Sequence, residues 1–356
     1  MPPLRQIVRP LVAPATRCTP RSKASRWFST SHPAQSSKSE SPKCLLEDND
    51  NGFGFIRNNR LPPKPRKTSV TEIRGPYYSA MGPNYLTDVL KTIGSHVDGL
   101  KFAGGSFSLL PEPDLRELID IAHSHNVYVS TGGWMEHVLT QSDTERAVDK
   151  YLDKCKDLGF DVVEISAGFL SLPPDDWLRL CERVMQKGLK PKPELGIQFG
   201  AGGDTEASDL EAMGTSDPSR IINQAKKFVD MGVERMMIES EGITENVKTW
   251  RTDVIQAILR DVPLEKVMFE AADPKVFNWY IREFGVDVNL FVDHSQIFQL
   301  SCLRRGIWGM ADTFAYPNVA EDFIVKIVKA ILDTPVFFQA SPEHECFWRM
   351  NIVLDP

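Results

Sequence analysis

M-M-I-E-S-E, residues 236–241, decides how this chain is to be read. Consecutive apolar residues fit a short strand buried on both faces, as in a parallel sheet covered by helices. A glutamate at the carboxyl end of such a strand, here Glu239, is costly to bury unless a charge or a ligand meets it. The pattern recurs along the chain. Glu164 interrupts V-V-E-I-S (162–166), Glu194 interrupts K-P-E-L-G (192–196), Glu270 interrupts V-M-F-E-A-A (267–272), and Asp293 follows the last run.

Working outward from these runs, strands are expected at 70–74, 99–102, 127–130, 161–165, 193–197, 235–238, 266–269 and 288–292. Helical patterns separate them. Leu115, Leu118, Ile119 and Ala122 form an i, i+3, i+4, i+7 stripe after Pro113. Ser142 and Glu145 read as a capping box, followed by Val148, Tyr151, Leu152 and Cys155 and a stop at Gly159. Asp217 and Pro218 open a helix over 221–231, closed by Gly232. No G-x-G-x-x-G follows the first strand, which argues against a dinucleotide fold. Eight strand–helix units in one run predict an α/β protein, a closed (βα)8 barrel over 69–310. In such a barrel the carboxyl ends of the strands gather at one mouth, so the acids would form a ring there.

The flanks differ. Residues 1–39 carry seven Lys or Arg and no Asp or Glu, and are rich in Ser, Thr and Pro. That composition predicts a mitochondrial transit peptide within 1–45, with R-W-F-S-T-S (26–31) as a processing site. Residues 46–68 read as a polar, Pro-rich N-terminal arm. Residues 200–213 are Gly- and acid-rich and read as a lid or binding loop. The C-terminal extension, 311–356, reads as a helix over 319–332 and a tail with Phe337, Phe338, Phe347 and Trp348. Those aromatics are expected to dock on the barrel or on a second copy of the chain, so a homo-oligomer is compatible with the sequence.

Composition excludes some classes. The chain has 356 residues, 42% of them hydrophobic, and a net charge of -7. That charge makes no case for nucleic acid or an anionic membrane surface. No apolar run approaches the roughly 20 residues that span a bilayer. The six cysteines form no C-x-x-C pair. Cys155 and Cys181 fall among apolar residues of helices and read as small buried thiols in a reducing compartment.

Several residues fit chemistry. Lys101 ends the second strand and must place its ammonium in the mouth or against a carboxylate. It suits an anion ligand, an acid or base, a Schiff-base nucleophile or a structural ion partner. Gly104 and Gly105, then Gly132 and Gly133, allow backbone amides to approach an anion, although turns also need glycine. Glu136 in T-G-G-W-M-E suits a ligand, a base or a helix-start acid. Arg304 and Arg305 follow the last strand, where barrels often bind phosphate. His294 beside Asp293 titrates near neutrality or caps a helix. Among the carboxylates, Glu164 and Glu239 are taken as Mg²⁺ ligands, with Glu194 and Glu270 in acid–base roles beside Lys101 and Glu136. The expected partner is a small anionic substrate.

In order and spacing, K-F-x-x-G-x-S (101–106), G-G with Glu136, V-E-I-S (163–166), E-L-G (194–196), F-E-A (269–271), V-N-L (288–290) and L-R-R-G (303–306) resemble phosphosulfolactate synthase. F-V-D-H-S-Q (291–296) resembles the family's eukaryotic branch, which includes plant heat-stress-associated proteins. The resemblance implies a (βα)8 barrel and Mg²⁺-dependent addition of sulfite to phosphoenolpyruvate. It places Ser166, the paired glycines, His294 and the two arginines against substrate. The archaeal pattern has Asp where this chain has Ala167, and lysines where it has Ile197 and Gln198. A barrel that lost catalysis, tied to heat tolerance, and a Schiff-base aldolase built on Lys101 are the alternatives.

Overall fold

The computed structural model describes residues 44–197, 217–271 and 273–309. Eight parallel strands close on themselves in sequence order: β1 (Thr71–Arg74), β2 (Gly99–Lys101), β3 (Tyr128–Ser130), β4 (Val162–Ile165), β5 (Lys190–Leu195), β6 (Met236–Ile238), β7 (Val267–Glu270) and β8 (Leu290–Asp293). β1 pairs with both β2 and β8, so the sheet has no edge. This is a (βα)8 barrel, built where the apolar runs stand in the sequence.

Alternation along each strand makes two cores. Outward residues such as Val163, Ile238 and Phe269 pack under helices through Leu118, Val148, Trp177, Phe228 and Ile258. Each such side chain contributes roughly 1.5–3 kcal/mol when removed from water. Inward, a small apolar plug of Val70, Met237, Met268 and Phe291, with Tyr128 against it, fills part of the interior. Above that plug the strands turn Arg74, Lys101, Glu164, Glu194 and Glu270 inward.

Two local expectations change. β5 begins at Lys190, three residues before the expected start, although its sequence is K-P-K-P-E-L. Lys190 donates its amide to Asp161 on the β4 side, so the nitrogens of Pro191 and Pro193 face β6. Pairing with β6 starts only at Glu194, so neither proline removes a ladder bond. Helix Thr144–Leu158 is capped by Asp143, whose carboxylate accepts from Arg146 N at 3.4 Å; Ser142 stands outside it. Gly159 ends that helix at φ 98°, a left-handed turn that favours glycine.

The Pro-rich arm is pinned from residue 59 onward. Asn59 donates to the Arg304 carbonyl at 3.0 Å, Lys64 to the Gly94 carbonyl at 2.7 Å, and Arg66 pairs with Asp98 at 2.9 Å. Residues 44–55 form their own small unit around Asp48, whose carboxylate accepts from the amides of Asp50 and Asn51. The transit segment, loop 200–213 and the C-terminal extension lie outside the described residues. Among the described residues no helix is long and apolar enough to cross a membrane. Burial pushes the Cys155 and Cys181 thiols up to about 12, so both are inert packing groups.

Candidate active site

The strand period puts the ionisable residues inside. Glu72 and Arg74 alternate with apolar Ile73 on β1, as Lys192 and Glu194 alternate on β5. Register then sets the neighbours: Glu164 is level with Lys192, and Arg74 with Lys101. A connected file of charges results. Glu164 is wholly buried between two ammoniums, 2.8 Å from Lys101 Nζ and 3.1 Å from Lys192 Nζ. Lys192 also holds Glu72, and Lys101 reaches Glu194 at 3.4 Å. Arg74 pairs with Glu270 at 2.6 Å, and the Phe291 ring lies under both Arg74 and Lys101.

Five carboxylates therefore face three cations in the upper barrel, and the excess collects at one place. Single oxygens of Glu194, Glu239 and Glu270 lie within 4.8 Å of one another. Burial, then Glu164 and Glu270, pushes the Glu194 carboxyl up to about 8. Burial, then Glu270 and Glu194, raises Glu239 well above its ordinary value. Glu239 is held in place by the amides of Ser240 and Glu241, at 3.0 and 3.3 Å. Glu164 behaves oppositely: burial alone would raise it, but Lys101 and Lys192 hold it low. Burial likewise works to depress Lys101, yet Glu164, Glu194 and Glu270 keep its ammonium well above the usual range.

A cavity of about 410 Å³ opens over this cluster. Its wall includes Arg74, Lys101, Gly104, Gly133, Ser166, Glu164, Glu194, Glu239 and Glu270. Tyr77, Tyr78, Trp134 and Phe169 provide aromatic sides. Arg74 was not singled out by the sequence. Its Nε and Nη1 are buried with no partner in the protein, while Nη2 holds Glu270. The signal available was T-E-I-R, two charges at i and i+2 on an otherwise buried strand.

Other expected site residues stand elsewhere. Arg304 and Arg305 are buried away from the mouth. The Arg304 guanidinium donates to the carbonyls of Val286 and Val70, which precede β8 and β1 at the opposite end of the barrel. Burial lowers its pKa to about 10. The short helix Ile297–Arg304 carries both arginines back to that end, so neither reaches a substrate at the mouth. His294 turns its Nδ1 to the Arg74 carbonyl at 3.0 Å and packs on Tyr85, outside the cavity wall. Asp293 caps the turn after β8 by accepting from Ser295 N at 3.0 Å.

Glu136 borders the cavity, but its carboxylate accepts from three consecutive amides, Gly168, Phe169 and Leu170, at 3.1, 2.6 and 2.8 Å. It clamps the loop after β4 and is not free for acid–base work. Gly132 and Gly105 serve packing. A Cβ on Gly132, at φ 67°, would stand 2.4 Å from the Phe102 carbonyl oxygen, and one on Gly105 would strike Trp134. Gly104 and Gly133 do border the cavity. Glu164, expected as a metal ligand, is committed to the two lysines. The three acids whose oxygens converge closely enough to hold a cation are Glu194, Glu239 and Glu270. Ala167 and Ile197 line a separate cavity of about 420 Å³ beside Trp177, and Gln198 lies outside the described residues.

Comparisons with known proteins agree with this site's setting. Residues 59–310 match the family described as ComA, (2R)-phospho-3-sulfolactate synthase. Protein HEAT-STRESS-ASSOCIATED 32 of Arabidopsis thaliana is 37% identical over 260 residues, covering 70% of this chain and 90% of that one. Phosphosulfolactate synthase of Methanothermobacter thermautotrophicus is 25% identical over 276 residues, 76% of this chain and 100% of that one. The Methanocaldococcus jannaschii enzyme of the same name is 24% identical over 281 residues, 76% and 96% of the two chains. The chain belongs to the phosphosulfolactate synthase family, on the eukaryotic side that includes the Arabidopsis heat-stress-associated protein.

Proposed function

We propose that the chain is a lyase-type enzyme acting on a small phosphorylated carboxylic acid, with phosphoenolpyruvate and sulfite as the leading reactants and Mg²⁺ as cofactor. One observation carries the reading. Three carboxylates that repel one another share a cavity with an ammonium and a partly unpaired guanidinium.

The residues fit a hard divalent cation. Glu194, Glu239 and Glu270 offer oxygen ligands only, and burial together with the neighbouring carboxylates raises the proton affinity of Glu194 and Glu239, a cost that a cation would relieve. Bound there, Mg²⁺ would supply Lewis-acid stabilisation of a developing enolate charge. Lys101 stays an ammonium and faces the same space, so it attracts the substrate's carboxylate. The unpartnered Nε and Nη1 of Arg74 present a fork suited to a phosphate or carboxylate oxygen pair. Gly104 and Gly133 leave room for the ligand to approach the backbone, and Ser166 adds a hydroxyl beside Gly133. In the reaction a sulfur–carbon bond forms at the methylene carbon, and the adjoining carbon takes a proton. The ion pairs of Lys101 with Glu164 and Glu194 favour an ammonium that binds an anion over a Schiff-base nucleophile.

Isothermal titration calorimetry of the full chain with phosphoenolpyruvate, sulfite and phospholactate, with Mg²⁺ or with EDTA, tests the proposal. Magnesium-dependent binding of a phosphorylated acid, lost in Arg74→Gln, is expected. No binding of any of the three under either condition would favour a barrel that lost catalysis.

A further inference from the structure

A second cavity, of about 200 Å³, opens at the amino end of the barrel, opposite the mouth. Its charged wall is Lys156, Lys190, Lys192 and Arg235 against Asp161 and Glu234, with Tyr128 beside them. Tyr128, Asp161, Lys190 and Arg235 start or immediately precede a strand. Gly99 makes the room: a Cβ there would fall 2.3 Å from the Tyr128 ring, which lies across the β2 strand end. β3 and β4 pair in register at Ser130 and Val162, and Tyr128, Asp161 and Val162 from these two strand starts line the cavity.

The charges around it do not balance. The Asp161 carboxylate is engaged by His123 and by the Val129 amide, both at 2.8 Å. Lys190 holds Glu234 at 2.7 Å, Lys156 donates to the Gly188 carbonyl at 2.9 Å, and Lys192 is taken up by Glu72 and Glu164. Arg235 is 8% exposed, and its Nε is buried with no partner. Among the described residues its side chain makes no ion pair. Glu234 is the acid beside it but is held by Lys190, so the Arg235 Nε is left for an oxyanion that enters the cavity. The guanidinium fork pairs with two oxygens of one oxyanion. The cavity is smaller than the roughly 300–1,000 Å³ that hold drug-sized ligands, so the ligand is small.

We propose that this end of the barrel is a second oxyanion site, centred on Arg235, with Lys190 and Lys156 at its rim, for inorganic phosphate or the phosphoryl group of a small metabolite. It is independent of the chemistry at the mouth. Lys192, shared between this cavity and the interior file, links the two ends electrostatically.

Calorimetric titration of the full chain with inorganic phosphate and with glycerol 3-phosphate, at constant ionic strength in chloride, tests it. Arg235→Gln is expected to weaken one binding event at least 10-fold, while Arg74→Gln leaves that event in place. Lys190→Glu, at an exposed position, is expected to weaken it at least 3-fold. Tighter binding of the free ion or of the ester identifies the source. Phosphate binding unchanged in Lys190→Glu and Arg235→Gln, or abolished altogether by Arg74→Gln alone, would overturn the proposal. If Arg235→Gln does not fold, Lys190→Glu decides.

Discussion

Replacing Glu164 by glutamine removes one charge from the centre of the barrel without changing the shape of the side chain. The carboxylate is fully buried and lies 2.8 Å from Lys101 Nζ and 3.1 Å from Lys192 Nζ. Breaking one buried pair by losing a partner costs about 3–5 kcal/mol. Two pairs are broken here, but each lysine keeps another carboxylate, Lys101 with Glu194 and Lys192 with Glu72. The expected loss therefore stays near the range for one pair. A barrel of this size loses roughly 2–4 °C of Tm per kcal/mol, so a shift of about 6–20 °C should follow. Urea unfolding at pH 7, followed by circular dichroism, measures it. The pH dependence adds a sign. Glu164 titrates below its ordinary value in the fold, because Lys101 and Lys192 outweigh burial. Its contribution is therefore present above the unfolded value of about 4.3 and fades as pH falls through the lower folded one. Wild type and variant should converge in acid. A loss under about 1 kcal/mol at pH 7, or a gap that persists in acid, would refute the view that Glu164 holds the two ammoniums.

Other outcomes follow from the same geometry. Glu194 titrates at about 8, so the metal-free fold takes up a proton and should lose stability as pH climbs from the ordinary carboxylate range to 8. Mg²⁺ should flatten that slope and add about 2.7 kcal/mol at 100 times its Kd; melting curves at pH 6 and 8.5 with Mg²⁺ or EDTA that share one slope would sink the cation site. Gly132→Ala forces a side chain into φ 67° and against the Phe102 carbonyl, and should cost more than the roughly 1–3 kcal/mol of backbone strain alone, read by chemical denaturation. Glu136→Gln weakens bonds to three amides of the loop after β4; about 1.5–3 kcal/mol of local stability should go, seen as faster hydrogen exchange at 168–170 with the rest of the barrel unchanged. A fluorescent fusion lacking residues 1–28 should no longer enter mitochondria, and continued import would remove the basis for a transit peptide.

The barrel was legible because its evidence is local and repeated. Apolar runs of strand length, helical stripes and capping residues recur along the chain, and only one closed topology accommodates that many parallel units. The glutamates at the strand ends were legible for the same reason, since strand ends and mouth coincide in this fold. What those acids do was not. The reading that made Glu164 a metal ligand expected Lys192 to pair with some of the acids but could not tell which, and β5 brings it level with Glu164 because the strand starts at Lys190 in spite of two prolines. The reading that gave Arg304 and Arg305 to substrate took position after β8 as position at the mouth. The helix Ile297–Arg304 reverses the chain and delivers Arg304 to backbone carbonyls at the far end.

The sequence by itself determined which residues are inside and which end of each strand bears the charge, because side-chain alternation and apolar periodicity act over a few residues. Only the tertiary structure decided the partners. Electrostatic interaction depends on distances of a few ångströms between strands far apart in the chain, as from Arg74 to Glu270 or Glu72 to Lys192. Barrel closure sets those distances, and with them which carboxylates lie between cations and which crowd one another at the mouth.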